Sequence, residues 1–394
     1  MWIPRFSLTN FRNYRQLELR LPPHLAIFYG DNAQGKTNLL EAVNMFATTK
    51  SHRASSDREL INQIARQEGN IAIARLYAEV QRKRSDIKVE IAVRTEKVNS
   101  VTGETTAPLT GPMPVSVRKR IRVNDIARRA IDLVGQVNAV MFSAQDIDLL
   151  SGTPLLCRRY LDLVNSQTDS HYLRSLQRYQ RVLQQRNHLL RMLQEHQGQP
   201  EQLEFWDNEL VKNGSYIIKQ RWHLVAMLNE LVEKIHWELS GSKETLKIVY
   251  LPSIGREKDV AETESNFRQV LYQTRRREIG QGVTLAGPHR DNLQFQVNEN
   301  DMSIYGSRGQ QRTVALSLKL AEAQYIHTRV DDTPILLLDD VLSELDHIRR
   351  KHLLEFIHPF QQVLFTATDL DHFEPSSLDQ AALFRVKQGN IEAA

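Results

Sequence analysis

The stretch "GDNAQGKT", residues 30–37, matches the pattern G-x-x-x-x-G-K-[ST] of a phosphate-binding loop. Gly30 and Gly35 permit backbone angles at which successive N–H groups converge on a β-phosphate. Lys36 can reach the β- and γ-phosphate oxygens, and the Thr37 hydroxyl can complete the shell of a Mg²⁺ ion. These residue types at this spacing predict a site for ATP and its metal.

The segments on either side supply the context that this motif requires. The mostly apolar run "HLAIFYG" predicts a strand that ends at the loop, and "TNLLEAVNMFATT" after it has apolar residues at helical spacing. The positive end of such a helix faces the phosphates. The alternative is a chance glycine-rich turn, which would need neither a strand before it nor a helix after it.

A second stretch, "PILLLDDVLSELD" (334–346), carries the matching carboxylates. Its four aliphatic residues predict a buried strand, yet the strand ends in Asp339 and Asp340, which are costly to bury unpaired. Phosphate-loop enzymes need a carboxylate at the end of a neighbouring strand to orient the shell of Mg²⁺, and Asp339 fits that role. Asp340 then lies where a general base positions the attacking water. An ordinary helix N-cap would explain one aspartate but hardly two.

Composition sets broad limits on the class of protein. The chain has 394 residues, of which 25% are charged, and a formal net charge of +4. We expect a cytoplasmic protein with no membrane association, because no apolar run approaches the roughly 18 residues of a membrane span and the first residues lack the apolar core of a signal peptide. The single cysteine, Cys157, excludes an intramolecular disulfide.

Arginine clusters suggest a partner without identifying one. They lie at residues 81–84, 118–122, 127–129 and 275–277. A solvated surface explains such clusters as well as contact with a polyanion does, because the arginine fork also matches phosphate geometry. Composition alone leaves both interpretations open.

The pattern of apolar residues changes along the chain. Alternating segments up to about residue 147 predict a β-rich first part, with a polar loop at 99–114. Two later segments have coiled-coil spacing and predict an antiparallel helical hairpin, with arms of only ~40 Å. We therefore predict an α/β head at 1–147 and 281–394, with a phosphate-loop core and an antiparallel β subdomain. A helical arm domain at 148–280, with the short coiled-coil hairpin, is predicted to be inserted into it.

The segment "YGSRGQQRTVALSLKLAEAQ" (305–324) precedes the two aspartates, and its S-x-G-Q opens an apolar helix. This motif resembles the signature of ABC-type ATPases, although an ordinary capped helix would look similar. The resemblance implies that the signature of one subunit closes over the phosphate loop of another, in an ATP-sandwiched homodimer. It also implies that "LSELD" (342–346) crosses the dimer interface, and that Gln145 senses metal and γ-phosphate.

The resemblance narrows to the RecF family of bacterial recombination and replication-gap repair proteins, which are related to SMC-type ATPases. It extends over nearly the full length, and the motifs that carry it are "LTNFRNY" (8–14), "NAQGKTNLLEA" (32–42), "KSHR" (50–53), "FSAQDIDLLSGTPLLCRRYLDL" (142–163), "RYQRVLQQRNHLL" (178–190), "GPHRDN" (287–292), "GSRGQQR" (306–312) and "LLLDDVLSELD" (336–346). Membership implies a weak, DNA-stimulated ATPase that binds duplex and gapped DNA as an ATP-dependent homodimer near the nucleoid. It also implies a role in the SOS response, and partnership with RecR and RecO in loading RecA.

Motif and resemblance together define the predicted site. The predicted catalytic residues are Lys36, Asp339, Asp340 and Gln145, and the predicted metal ligands are Thr37, Gln145 and Asp339. The predicted nucleotide contacts are Gly30, Asp31, Asn32, Ala33, Gln34, Gly35, Lys36, Thr37, Asn38, Arg53, Ser307, Gly309 and Gln310.

Several positions depart from the wider ABC pattern or remain ambiguous. Most ABC ATPases have glutamate where this chain has Asp340, and the shorter arm implies slow hydrolysis suited to a switch. In place of a switch histidine the chain has "FTATD" (365–369), so that Thr368 or Asp369 would contact the γ-phosphate. Arg53 is either a surface residue or a contact to nucleotide or DNA. His289 and Arg290 fit a buried polar network and a functional site equally well.

Other functions compete with an ATP-switched DNA-binding protein. An ABC transporter ATPase subunit would need a surface that docks onto membrane-spanning partners, and it normally lacks a coiled-coil insertion. A long-armed SMC-like protein would need arms much longer than ~40 Å. A small-molecule kinase would have no role for the S-x-G-Q motif.

Overall fold

The computed structural model describes residues 1–68, 71–97, 115–255 and 260–393; the predicted polar loop at 99–114 lies outside these ranges. Between residues 1 and 143 the elements are β1 (Trp2–Phe11), β2 (Tyr14–Arg20), β3 (His24–Tyr29), α1 (Lys36–Thr48), α2 (Gln63–Gln67), β4 (Ile71–Gln81), β5 (Ile87–Lys97), β6 (Val115–Val123), β7 (Ile126–Arg128), α3 (Ala130–Leu133) and β8 (Ala139–Phe142).

The middle of the chain is mainly helical. Its elements are α4 (Asp148–Ser151), α5 (Pro154–Thr168), α6 (Ser170–Gln194), α7 (Leu203–Leu239), β9 (Leu246–Leu251), α8 (Val260–Gln281), β10 (Asn292–Val297), β11 (Asn300–Asp301), α9 (Met302–Tyr305) and α10 (Arg308–Arg329). The last part contains β12 (Ile335–Asp339), α11 (His347–Ile357), β13 (Gln362–Ala367), α12 (Pro375–Leu378), β14 (Ala382–Lys387) and β15 (Asn390–Ala393).

Two compact units result: residues 1–143 with 330–394, and residues 144–329. The predicted division differs, because it places residues 281–329 with the head. In the structure helix α10 packs along α7 and also contacts α5, which groups this segment with the helices. The functional assignment of residues 281–329 to the ATPase head stays a prediction.

The first unit contains two six-stranded sheets. One has the order β15-β14-β3-β13-β12-β8, and all its neighbours are parallel except β14 and β15. Strand β12 is buried along its four aliphatic residues, as is typical of a parallel sheet covered on both faces. Helix α1 packs against this sheet, and the four apolar residues predicted to form its core face, Leu39, Leu40, Val43 and Phe46, are all buried.

The other sheet of the first unit is antiparallel, with the order β2-β1-β4-β5-β6-β7. Along β4 buried and exposed residues alternate, so one face contributes to the core and the other meets solvent. The buried face joins α1 and the parallel sheet in one apolar core, in which Phe6 and Phe46 meet edge to face at 6.1 Å between ring centroids. The antiparallel pairing of β4 with β5 agrees with the predicted antiparallel β subdomain.

In the second unit the two long helices α6 and α7 pair as the coiled-coil spacing predicts, and α8 packs against both. The hairpin is therefore part of a three-helix arrangement. Arg186, which interrupts the predicted seam, is fully buried at its centre. Leu176 and Leu183 of α6, which have the coiled-coil spacing, are only partly buried. A three-stranded sheet, β11-β10-β9, completes this unit.

Candidate nucleotide-binding site

The phosphate loop connects β3 to α1 in the first unit and has the backbone that its glycines predict. Gly30 has φ 145° and Gly35 has φ 114°, both in the region that favours glycine. A Cβ atom on Gly30 would approach the carbonyl oxygen of Val386 to 2.5 Å. No side chain caps the start of α1 at Gly35, which leaves its first N–H groups directed at the loop. This geometry is that of an anion-binding site.

Lys36, the first residue of α1, folds back over the loop. Its ammonium donates to the carbonyl oxygen of Gly30 and to that of Asp31, the second at 2.8 Å. Burial lowers the pKa of Lys36, while the carboxylates of Asp340 and Asp339 oppose that shift. The ammonium is thus held close to the loop by neutral carbonyls, in a position where phosphate oxygens would be stronger partners.

Asp339 and Thr37 meet at the end of β12, as the two motifs together predict. The Thr37 hydroxyl donates to Asp339 Oδ1 at 2.9 Å, and the Thr366 hydroxyl donates to the same oxygen at 2.7 Å. A carboxylate and a hydroxyl on one side of a phosphate loop are the oxygen ligands that Mg²⁺ accepts, with waters and phosphates completing its shell. Thr37 and Asp339 therefore fit the metal of an ATP complex.

Asp340 has a different environment from its neighbour. It adopts the left-handed conformation, φ 53°, which aspartate tolerates better than most residues. Its N–H group donates both to the carbonyl and to the hydroxyl oxygen of Thr366, each at 3.1 Å. Burial raises the pKa of Asp340, and the carboxylates of Asp339 and Asp369 reinforce the shift, while the Ser343 hydroxyl and Lys36 oppose it. A carboxylate with a raised pKa suits a general base.

Thr366 is a site residue that the sequence analysis misses. It lies on β13, directly opposite Asp339 in the parallel pairing with β12. The predicted substitutes for a switch histidine follow it, and Thr368 donates to Asp369 at 3.1 Å. A hydroxyl within the otherwise apolar strand "QVLFTA" was the available signal, but its use depends on the register of two strands, in which the paired residues lie 27 positions apart.

The segment "FRNY" (11–14) hydrogen-bonds to the backbone of the phosphate loop. Asn13 Nδ2 donates to the carbonyl of Gln34 at 2.9 Å, and the buried Tyr14 hydroxyl donates to that of Gly35 at 2.9 Å. Asn38 in turn donates to Asn13 Oδ1 at 2.8 Å. These residues fix the shape of the loop through side-chain amides and a phenol, although in the sequence they marked only a family motif.

Arg53 extends this polar layer toward solvent. Its guanidinium donates to Asn38 Oδ1 at 3.2 Å, and it lines an open cleft of about 580 Å³ together with Arg12, Asn13 and Arg66. Arg12 forms a bidentate pair with the fully buried Glu41 at 2.7 and 2.9 Å. Arg53 thus contacts helix α1 through Asn38, and its contact with nucleotide or DNA stays a prediction.

The signature residues lie in the second unit, at the start of α10. Gln310 N–H donates to Ser307 Oγ at 3.3 Å, and the Gln310 side-chain carbonyl accepts from Ser307 N–H at 3.1 Å. This reciprocal arrangement is a capping box. Gly309 is exposed, and no atom of the residues that the structure describes lies within 4 Å of the place that its Cβ would take. Gln145 is exposed in a 3₁₀ turn, Ala144–Ile147, and its predicted role stays a prediction.

"GPHRDN" takes part in a polar network that extends from the buried Asp291 to the partly buried His289 and the exposed Arg290, and a functional role for the segment stays a prediction. His289 Nδ1 lies 2.7 Å from the Tyr179 hydroxyl, and Nε2 lies 3.1 Å from the carbonyl of Thr284. Arg290 donates to the same carbonyl at 2.9 Å. Burial lowers the pKa of His289 to about 4, so the ring is neutral at physiological pH. Asp291 is fully buried, and it accepts from Arg221 at 2.9 Å and from Ser253 N–H at 2.9 Å.

One predicted arginine cluster forms a row on the antiparallel sheet. Arg118, Arg120 and Arg122 alternate along β6 and are exposed, and the register places Arg94 of β5 directly opposite Arg118. Arg94 pairs with Glu96 at 3.2 Å, whereas within the described ranges the three β6 arginines have no ion pair. Like charges at opposite positions destabilise a sheet, as at Arg118 and Arg94, whereas Arg122 lies opposite Glu90. The row leaves an excess of positive charge on this exposed face, which fits contact with a polyanion.

The chain resembles known proteins over nearly its whole length. The family described as "RecF/RecN/SMC N terminal domain" matches residues 2–392. The chain is similar to proteins called "DNA replication and repair protein RecF" from Herpetosiphon aurantiacus (45% identity, 99% of each chain) and Chloroflexus aurantiacus (42%, 100% of each). It is also similar to the solved structure of the recombination mediator protein RecF with ATP in the RecFOR pathway. That match has 28% identity and a TM-score of 0.85, over 100% of this chain and 97% of the other.

A more distant likeness concerns the fold alone. The Smc head domain from Pyrococcus furiosus, solved with an extended coiled coil and the C-terminal domain of ScpA, has 13% identity and a TM-score of 0.53 over 100% of this chain and 96% of the other. These matches and the mixed α/β architecture identify an ABC-type ATPase head fold, as the phosphate loop and signature predict.

Proposed function

Since this chain belongs to the RecF family of DNA replication and repair proteins, we propose that it is an ATP-switched DNA-binding protein of recombinational and replication-gap repair. ATP and Mg²⁺ are its cofactors, and it forms an ATP-dependent homodimer on duplex or gapped DNA. The name of the RecFOR pathway in the solved relatives supports RecR and RecO as partners, with RecA loading as the outcome. Within the described residues no helix is long and apolar enough to span a membrane, and we place the protein in the cytoplasm at the nucleoid.

The observation that carries this proposal is the meeting of the two motifs. Thr37 from the phosphate loop and Asp339 from β12 share a hydrogen bond of 2.9 Å although 302 positions separate them. Lys36 lies in the same pocket, under the electrostatic influence of both aspartates. Such a constellation binds, orients and neutralises a triphosphate and its metal.

Each residue of the pocket has a distinct task in hydrolysis. The N–H groups at the start of α1 and the Lys36 ammonium hold the phosphates, while Thr37 and Asp339 would hold Mg²⁺, which when bound neutralises charge on the β- and γ-phosphates. Asp340 orients the attacking water and accepts its proton, helped by a raised pKa. The side chain of Asp340 is shorter than the glutamate that most ABC ATPases have at this position, which favours slow turnover and suits a switch.

Gly309 supports the homodimer. Among the described residues neither a positive φ nor a close neighbour requires a glycine there, although glycine in the first turn of a helix costs up to about 1 kcal/mol relative to alanine. The absence of a side chain therefore serves the approach of something outside the chain. In the proposed dimer that object is the nucleotide held by the partner subunit's phosphate loop, with the Ser307 hydroxyl and the helix N-terminus facing its γ-phosphate.

The row of arginines on β6 supports DNA binding. Alternate residues of a strand lie about 7 Å apart, so three guanidiniums extend over about 14 Å of surface. Contacts of this kind with phosphates release counterions and make the affinity fall steeply with salt. They would position DNA without selecting a sequence.

The experiment is sedimentation of the chain with ATP, ADP or no nucleotide, each with and without duplex DNA, at several salt concentrations. We expect dimers and DNA complexes with ATP only. The triple variant Arg118→Gln/Arg120→Gln/Arg122→Gln should still dimerise, and its plot of log affinity against log salt should be shallower by about 2–3. The matched control, Arg174→Gln/Arg181→Gln/Arg191→Gln on helix α6, should leave the slope unchanged. DNA binding without ATP and without salt dependence would contradict the proposal.

A further inference from the structure

Gln310, the glutamine of the S-x-G-Q signature, makes two hydrogen bonds through its side-chain amide. The Gln310 side-chain carbonyl accepts from Ser307 N–H at 3.1 Å, and Nε2 donates to Glu244 Oε1 at 2.8 Å. An amide has one carbonyl and one NH₂ group, so these two bonds fix which way it faces. Both ends of the Gln310 amide are therefore engaged within its own unit.

Glu244 is itself firmly placed. It lies between α7 and β9, where its N–H group donates to Ser240 Oγ at 3.2 Å. Its second carboxylate oxygen lies 3.4 Å from Nε2 of the fully buried His236, whose Nδ1 lies 2.9 Å from Ser317 Oγ on helix α10. The carboxylate is thus connected to α7 on one side and to the signature helix on the other.

Ser307, unlike Gln310, keeps a side-chain hydrogen-bond donor that can contact a ligand. Its oxygen accepts from Gln310 N–H at 3.3 Å, and a hydroxyl that accepts still has a proton to donate. Ser307 is exposed, whereas Gln310 is partly buried behind it. This asymmetry separates the two residues that the signature motif groups together: one can contact a phosphate, and the other holds the helix start in shape.

From these contacts we propose that Glu244 is a positioning residue of the signature, acting through Gln310, and that Gln310 is not itself a nucleotide contact. Glu244 orients the Gln310 amide so that its carbonyl caps Ser307 N–H. The cap fixes the first turn of α10 and presents the Ser307 hydroxyl to the partner subunit's nucleotide. This inference rests on the proposed ATP-dependent homodimer, and it changes the predicted role of Gln310 within it.

Exchanging the two side chains, with glutamate at position 310 and glutamine at position 244, tests this role. In Gln310→Glu two carboxylates face each other, and their repulsion turns the side chain at position 310 away from Ser307 N–H, although glutamate can itself form a capping box. Adding Glu244→Gln restores the contact with donor and acceptor exchanged. We expect Gln310→Glu to raise the ATP concentration for half-maximal dimerisation about tenfold, and the double variant to return it to within about twofold of the unaltered chain.

Three measurements are compared: sedimentation across an ATP titration, ATP affinity at concentrations where the chain is monomeric, and melting temperature. The ATP affinity should stay unchanged in Gln310→Glu, since the phosphate loop is intact, and the melting temperature should fall only slightly, since only the first turn of α10 is disturbed. A double variant as impaired as Gln310→Glu alone, or more so, would show that residue 310 meets the nucleotide directly and would overturn the inference. Failure of the unaltered chain to dimerise with ATP would instead contradict the proposed function.

Hydrogen exchange gives a second readout that needs no dimer. The Ser307 amide should be protected in the unaltered chain and in the double variant, because the side chain at position 310 caps it in both. In Glu244→Ala the glutamine loses its anchor, so exchange at Ser307 should be at least about threefold faster, while exchange in the middle of α10 stays the same. Unchanged exchange at Ser307 in Glu244→Ala would contradict the positioning role.

Discussion

Buried cations in the two units have opposite surroundings. In the helical unit Arg186 donates to Asp207, Glu278 and Thr284 at 2.7–2.8 Å, and Arg221 donates to Asp162, Asp291 and the carbonyl of Pro288 at 2.6–2.9 Å. In the nucleotide pocket Lys36 has only two backbone carbonyls of its own loop as hydrogen-bond partners among the described residues. A cation that is paired with carboxylates of its own chain serves the fold, whereas one held by neutral carbonyls is available to an anionic ligand.

The largest effect is expected from removing the side chain of Arg221, one of the two buried arginines of the helical unit. We expect Arg221→Ala to lower the free energy of unfolding by about 3–5 kcal/mol, because it leaves the fully buried Asp291 without its guanidinium partner. Denaturant unfolding measures the change. Arg174→Ala is the matched control, since Arg174 is exposed and donates to Ser170 at 3.3 Å. A loss below about 1 kcal/mol in Arg221→Ala would remove the distinction between the two kinds of cation.

The next effect concerns ligand affinity rather than stability. Lys36→Met should weaken ATP binding about 100-fold, while the free energy of unfolding stays the same or rises, because a buried ammonium is replaced by an apolar chain of similar length. Calorimetric titration and denaturant unfolding measure the two quantities. Lys36→Arg keeps the charge and should retain part of the binding without hydrolysis. If Lys36→Met destabilised the fold as strongly as Arg221→Ala, Lys36 would belong with the structural cations.

The smallest effect extends the comparison to anions. The pKa of Asp340 is raised by burial, so its ionised form destabilises the folded chain above that pKa. Asp340→Asn should therefore raise the free energy of unfolding at neutral pH, and with it the melting temperature. The gain should be less than about 1 kcal/mol, because the side chain is partly exposed to solvent. The gain should shrink as the pH falls through the raised pKa, where Asp340 becomes protonated. A gain that does not change with pH would contradict this account.

The sequence motifs predict the residues at the centre of the nucleotide site, but they do not predict Thr366, which hydrogen-bonds to them. Gly30, Lys36, Thr37 and Asp339 follow from motifs in which spacing encodes chemistry, and the structure places them as expected. Thr366 could not be predicted, because its role depends on the pairing of β12 with β13.

The helical unit shows the same limit. An arginine in an apolar seam looks like an interruption, yet Arg186 is buried because Asp207, Glu278 and Thr284 converge on it from positions 21 to 98 residues away. The sequence predicts α6 and α7, and also a helical segment at 261–277, but not that this helix, α8, packs against both of the others. Side-chain partners at long range are decided by tertiary structure, which a local pattern does not contain.

The strand order of the parallel sheet has a consequence for synthesis on the ribosome. Strands β3 and β8 are made early, but the strands that lie next to them, β12, β13 and β14, begin only at residue 335. At about 5–20 residues per second, roughly 10–40 seconds of translation separate β8 from β12. During that interval the edges of two apolar strands are unpaired, and Asp339, Asp340 and Thr366 have not yet joined the phosphate loop. We therefore expect the nascent chain to be prone to aggregation, and the nucleotide pocket to be complete only when translation is almost finished.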